Sequence, residues 1–194
     1  MRKISAVIAA LLVASTMAHG QKKAAQSSWP DIKYLTTFKA QGTLYTYKNS
    51  KLAPFQGASA NLLVDGDRNK AMVRAKVQVP LFGAIDANAL VDFTAGTAIA
   101  QVPFLGICEK RAIGASFNIK TDLPLLFDPN SGLTTYNGEE SPAWDASTAS
   151  WHFTHGFKVG KEYGLETYWE KASTNLKWAY YPDGDYVVNF VNGF

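Results

Sequence analysis

The chain has 194 residues, 47% of them hydrophobic and 18% charged, which excludes a disordered chain and is enough for one domain with a real core. The formal charge of +3 includes Arg2 and Lys3; without the first twenty residues, 17 bases face 16 acids and the charge is +1. So balanced a chain carries no electrostatic footprint for nucleic acid, and no nucleic-acid partner is expected.

In chain order, the first element is a targeting segment. A basic start at Arg2-Lys3 precedes the apolar run ISAVIAALLVA, and small residues at Ala18 and Gly20 follow. This is the pattern of a secretory signal peptide over residues 1–20, and the run is too short for a comfortable membrane span. Residues 21–28, QKKAAQSS, read as a flexible leader. Residues 29–194 then form a single β-rich domain. The expected setting is secreted or extracellular, with the endolysosomal lumen as the alternative. No later stretch is apolar enough for stable membrane insertion.

Residues 33–49, rich in Thr, Tyr and Phe, predict a long strand bulged at Gly42. A hairpin follows, its arms centred on Leu62–Val64 and Val73–Val79, with Asp65-Gly66 in its turn. In the second arm Val73, Ala75, Val77 and Val79 alternate with Arg74, Lys76 and Gln78, giving a dry face and a wet face. The next hairpin puts Ile85, Ala87, Ala89, Val91 and Phe93 on one face, turns at TAGT and returns through AIAQVPF. Four such strands with short turns make an antiparallel meander.

The segment TDLPLLFDPNSG predicts one short helix, with Asp122 near its start and Pro124 in its first turn. GEESPAWDASTAS is the most loop-like stretch and is expected to be a mobile surface connection. Strands then resume. WHFTHGFKV is short and aromatic. EYGLETYWEK places Tyr163, Leu165, Thr167 and Trp169 opposite Glu162, Glu166 and Glu170. NLKWAYYP groups Leu176, Trp178 and Tyr180, and DYVVNFVNGF closes the chain. No internal repeat, heptad or low-complexity block stands out. The expected fold is mainly β: a long curved antiparallel sheet of roughly eight to ten strands forming a half-open barrel, with one short helical segment.

The inward faces carry small residues at Ala75, Ala87 and Ala89, with Ala40 and Ala60 assigned to the same side. Small side chains there either oppose bulky neighbours such as Phe93, Trp169 and Trp178, or leave room for a ligand. Catalytic chemistry is hard to find. His152 and His155 stand three apart on a strand, which puts them on opposite faces and argues against a shared metal. There is no G-x-S-x-G, Walker or H-E-x-x-H motif, and Glu139-Glu140 lie in a polar loop. No enzyme activity, cofactor or metal is expected. Cys108 is the single cysteine, so it is a buried thiol, a reactive one, or the link of a dimer.

Val73-Arg74, LVDFTAGTAIAQV, Cys108-Glu109-Lys110 and the late aromatic hairpin TYWEKASTNLKWAYYPDGDYVVNFVNGF resemble the corresponding parts of ependymin-related proteins. The resemblance implies the half-open β-barrel shared with bacterial lipoprotein carriers, wrapped around a hydrophobic cavity, and non-catalytic binding of a lipid or other apolar molecule. The paired cysteines of that family are absent here. From the dry faces, Val73, Val77, Ile85, Val91, Phe93, Trp169 and Trp178 are the expected ligand-binding wall, with Leu125, Leu126 and Phe127 as a lid. The expected function is a secreted carrier of a hydrophobic small molecule or lipid; the alternative is a structural or adhesive β-sandwich without a cavity.

Overall fold

The computed structural model describes residues 29–32, 35–113, 117–159 and 161–192. The expected signal peptide and leader lie outside the described residues. The strands are β1 (Thr37–Lys48), β2 (Lys51–Asp65), β3 (Lys70–Val79), β4 (Gly83–Asp92), β5 (Thr97–Val102), β6 (Ile107–Ala112), β7 (Thr134–Glu139), β8 (Ser150–Val159), β9 (Lys161–Glu170), β10 (Leu176–Tyr181) and β11 (Tyr186–Asn192). A helix, α1 (Ile119–Leu125), lies between β6 and β7. All eleven strands join one antiparallel sheet in the order β6-β5-β4-β3-β2-β1-β11-β10-β9-β8-β7. The sheet is curved and does not close, so it is half-open. Among the described residues the strands form this one sheet rather than two separate ones.

Local chemistry explains the joins. β1 meets β11 at Gly42, where the register shifts. A Cβ on Gly42 would lie 2.7 Å from Val188 Cγ1, closer than side chains tolerate, so only glycine lets these strands approach. The β2–β3 turn does more than reverse the chain. Asn69, at a left-handed φ of 53°, donates from Nδ2 to the Phe117 carbonyl at 2.9 Å, and its Oδ1 accepts from the Ile119 amide at 2.8 Å. One amide side chain thereby grips the entry to α1.

The helix starts earlier than its sequence suggests. Asn118 is the N-cap, accepting from the Lys120 amide at 2.9 Å, and Asp122 accepts from the Asn118 amide at 2.8 Å. Asp122 therefore falls in the first turn as expected, but Pro124 sits inside the helix near its end. The strong cap, not the proline, sets the start.

β6 and β7 are the two edges of the sheet, and residues 117–127 of the connection between them lie over its dry face. They do so in two steps. Phe117 and Ile119 pack on Val91 and Phe93. Phe127 then reaches Phe153 and Trp169, its ring 5.3 Å from the Trp169 ring centroid. A third cluster, of Tyr168, Trp178 and Val187 with Trp144, Tyr45 and Tyr47, lies on the opposite face.

The segment GEESPAWDASTAS is fastened rather than mobile. Pro142 and Ser150 are fully buried. Asp145 accepts from Trp178 Nε1 at 3.0 Å and from Thr148 Oγ1 at 2.7 Å. Its polar composition serves these bonds rather than solvation.

Candidate functional site

The dry face is assembled by register. Val73 stands between Leu62 on β2 and Ala89 on β4; Ala75 stands between Ala60 and Ala87; Val77 faces Ile85. Ala60 in turn faces Gly42 on β1. Gly42, Ala60, Ala75 and Ala87 therefore form one row across four strands in which nothing exceeds a methyl group. Val77 and Ile85 border this row on one side; Leu62, Val73 and Ala89 border it on the other. Val73, Ile85, Ala87 and Ala89 are buried, whereas Ala75, Val77 and Val79 are half-buried. The face becomes more accessible toward the β3–β4 turn.

The seven expected wall residues do not share one environment. Val73, Val77 and Ile85 border the small-residue row. Val91 and Phe93 lie on the same face but beneath the crossover, with the Phe93 and Phe117 rings 5.1 Å apart. That end is filled. Val91→Phe should therefore overpack a closed cluster and cost roughly 1–3 kcal/mol, read as a lower urea midpoint. Trp169 is also in a filled cluster, against Phe127 and Leu176.

Trp178 does not belong with Trp169. β10 shifts register between Leu176 and Trp178: Leu176 pairs with Trp169, but Trp178 pairs with Tyr168. The shift breaks the two-residue alternation, so Leu176 joins the dry face and Trp178 the opposite one. Of the expected lid, Phe127 packs on the dry face, Leu126 is buried and Leu125 is exposed.

The two histidines do point to opposite faces, and each has a different environment. His155 is 2% exposed. Its Nδ1 lies 2.7 Å from Thr134 Oγ1 and its Nε2 lies 2.8 Å from Thr167 Oγ1. Burial, aided by repulsion from His152, pushes its pKa down to about 3. On the other face, His152 Nδ1 is 2.9 Å from Glu140 and Nε2 is 3.4 Å from Glu166. Its ring stacks on Tyr168 at 4.3 Å. Burial alone would lower its pKa, but the bonds to Glu166 and Glu140 outweigh that and raise it. Glu166 is held below the usual carboxylate range by His152, against the effect of its own burial and with a further bond from Tyr168. Burial drives the Tyr168 phenol well above its ordinary value. This group can hold a proton on His152 between Glu140 and Glu166. Among the described residues, no three His, Cys, Asp or Glu side chains are placed to hold a metal ion.

The wet face of β2–β5 carries a cavity of about 920 Å³, lined by Asn61, Met72, Arg74, Asn88, Leu90 and Gln101, among others, and bordered by Phe104. The alternation in the sequence gives no sign of it, because a concavity here comes from the twist of the sheet. Cys108 is exposed on the edge strand β6, with Gln101 Nε2 3.6 Å from its sulfur. It is not a buried thiol. No protein-family model matches the chain, and neither does any curated protein. No helix among the described residues is long and apolar enough to cross a membrane.

Proposed function

We propose that this chain is a non-catalytic binding protein that carries an acyl chain, or a similar apolar molecule, on the dry face of β1–β4. The observation that supports this is the run of methyl-sized side chains Ala60, Ala75 and Ala87, which ends at Gly42, where Val188 fills the space. A sheet face meant only to pack would carry larger side chains there, as it does at Val91–Phe93 and at Phe153–Trp169. That run spans three strands, about 10 Å at the usual spacing of about 4.8 Å. Its borders, Val73, Val77 and Ile85, are branched aliphatics suited to an alkyl chain. Each methylene transferred from water would contribute about 0.8 kcal/mol.

The experiment is native mass spectrometry of the protein from a secretory host, with organic extraction of the same sample. The expected result is an adduct that is released as a fatty acid, phospholipid or sterol. Val77→Phe should block the row beside Ile85, abolish the adduct and leave the melting temperature nearly unchanged, because Val77 is only half-buried. A clean apo mass, with no uptake when lipids are offered, would sink the carrier reading.

A further inference from the structure

Hairpin turns are ordinarily polar, because their residues face water and their backbone conformations suit Gly, Asn, Asp and Ser. Most turns here obey that rule: Asn49-Ser50, Asp65 to Asn69, and Pro182 to Asp185. Two do not. The β3–β4 connection reads Gln78-Val79-Pro80-Leu81-Phe82-Gly83, and the β5–β6 connection reads Gln101-Val102-Pro103-Phe104-Leu105-Gly106. The same pattern, Gln-Val-Pro, two large apolar residues and Gly, occurs twice. No charged residue stands between Lys76 and Asp86, or between Asp92 and Glu109.

The topology brings the two turns together. β4 is flanked by β3 and β5, so both turns emerge at the same end of neighbouring strands. The Phe82 and Phe104 rings meet edge to face at 5.8 Å. Leu81 is 101% exposed, Phe82 and Phe104 61% each, and Leu105 52%. The Phe82 amide donates to the Val79 carbonyl at 3.1 Å, which closes a turn with Pro80 and Leu81 at its centre. Leu81 has a φ of 72°, the left-handed conformation that such a turn normally assigns to Gly or Asn. A leucine there is strained and fully in water. The second turn gives its left-handed position to Gly106, with a φ of 63°, and the Gly106 amide donates to the Pro103 carbonyl at 3.0 Å. Both tips are therefore braced by proline and by a backbone bond, and they hold their apolar side chains outward.

We infer that this paired tip docks the protein, reversibly and peripherally, on the surface of a lipid bilayer. Its shape and size favour lipid over protein. Four projecting side chains expose a few hundred square ångströms, well under the roughly 800 Å² that each partner gives to a stable protein interface. A small convex apolar tip does fit between headgroups, where aromatic and aliphatic side chains leave water without needing a shaped partner. The absence of charge on the tip makes apolar insertion, rather than attraction to anionic headgroups, the driving force. The tip follows directly on the last β3–β4 pair, Val79 with Gly83, and Phe104 also borders the wet-face cavity. This inference stands on the tip itself and does not depend on the carrier reading.

The test is flotation of the full-length secreted protein with vesicles of phosphatidylcholine, and of phosphatidylcholine with phosphatidylserine. Binding to both is expected, with little change between low and high salt. The double variant Leu81→Asn, Phe104→Gln should lower the bound fraction at least tenfold and leave circular dichroism unchanged; Asn tolerates the φ at 81, so folding is not at risk. Lys76→Gln, on the same hairpin, should bind as the wild type does. Failure of the wild-type protein to float with neutral vesicles would overturn the inference. So would wild-type binding by the double variant, or a sedimentation result in which that variant abolishes a self-association instead. Adducts in native spectra without vesicle binding would remove the tip proposal alone. Vesicle binding without adducts would remove the carrier reading alone.

Discussion

Acidifying the protein from pH 7 to pH 4 is expected to cost it several kcal/mol of stability, with His155 as a principal cause. His155 is enclosed by Phe127, Phe153, Thr134 and Thr167. In the unfolded chain its imidazole titrates near 6.5; in the fold, burial pushes that down to about 3. The folded pKa is depressed, so the unfolded state takes up the proton first. The stability linked to neutral His155 is complete above the unfolded value and is lost as pH falls from 6.5 toward 3. The slope is about 1.4 kcal/mol per pH unit, which gives about 3 kcal/mol by pH 4. His152 acts in the opposite sense. Its raised pKa means that its contribution is complete below 6.5 and is lost as pH rises through the folded value. Glu166, with a lowered pKa, contributes above 4.5 and loses that contribution as pH falls through its folded value. Above about pH 6.5 falling pH adds the His152 contribution; from there down His155 alone drives the loss, and below 4.5 Glu166 adds to it. Urea unfolding at pH 7, 5.5 and 4 should show a shallow change and then a steep one. His155→Gln should remove about one proton from the acid slope, and His152→Gln should steepen the upper range. An unchanged acid slope in His155→Gln would rule out this account.

The same two residues show what could be read from the chain and what could not. Their opposite facing follows from the period of a strand, and the sequence alone supports it. Their chemistry does not follow, because Glu140 and Thr134 reach them through pairings that only the fold defines. The inner strands were legible for the same reason: each is half dry and half wet, as in Val73–Val79 and Ile85–Phe93. The two edge strands were not. β6 is ICEKRA, exposed at five of its six positions, and β7 is TTYNGE. β6 buries too little to need alternation, and its charges discourage pairing with another chain; β7 does alternate, burying Thr134 and Tyr136, but it is short and its Asn-Gly-Glu end reads as loop. The lid around Leu125–Phe127 was legible, but its course from one edge of the sheet to the other was not, because both edge strands were missed. The apolar tips were visible as letters, since the pattern Gln-Val-Pro recurs in full. Read as strand ends, they gave no sign of a turn, because their residues are not turn residues.

The largest difference between the expected and observed site lies at Trp169 and Trp178, and it leads to the second major prediction. Had the alternation run unbroken through β10, both indoles would line one wall, and truncating either would disturb the same neighbours. The register shift after Leu176 separates them. Trp169 is fully buried against Phe127 on the dry face. Trp169→Ala should cost roughly 3–5 kcal/mol, a large share of the roughly 5–15 kcal/mol typical of a domain. It should loosen the crossover around Phe127 while leaving residues 142–149 protected from amide exchange. Trp178 lies across the sheet with Tyr168 and Val187, and its Nε1 donates to Asp145. Trp178→Phe keeps most of the ring but removes that donor from a carboxylate that also depends on Thr148 and Ser147. Its global cost should be smaller, about 1–3 kcal/mol for a hydrogen bond to a charged group. Faster exchange should be confined to 142–149, with the Phe127 segment unchanged. Hydrogen exchange read by mass spectrometry separates the two cases. If both variants loosen the Phe127 segment alike, the two indoles share a wall and the register shift is wrong. If each loosens only its own side, Trp169 belongs to the dry face, and Trp178 holds down the loop behind it.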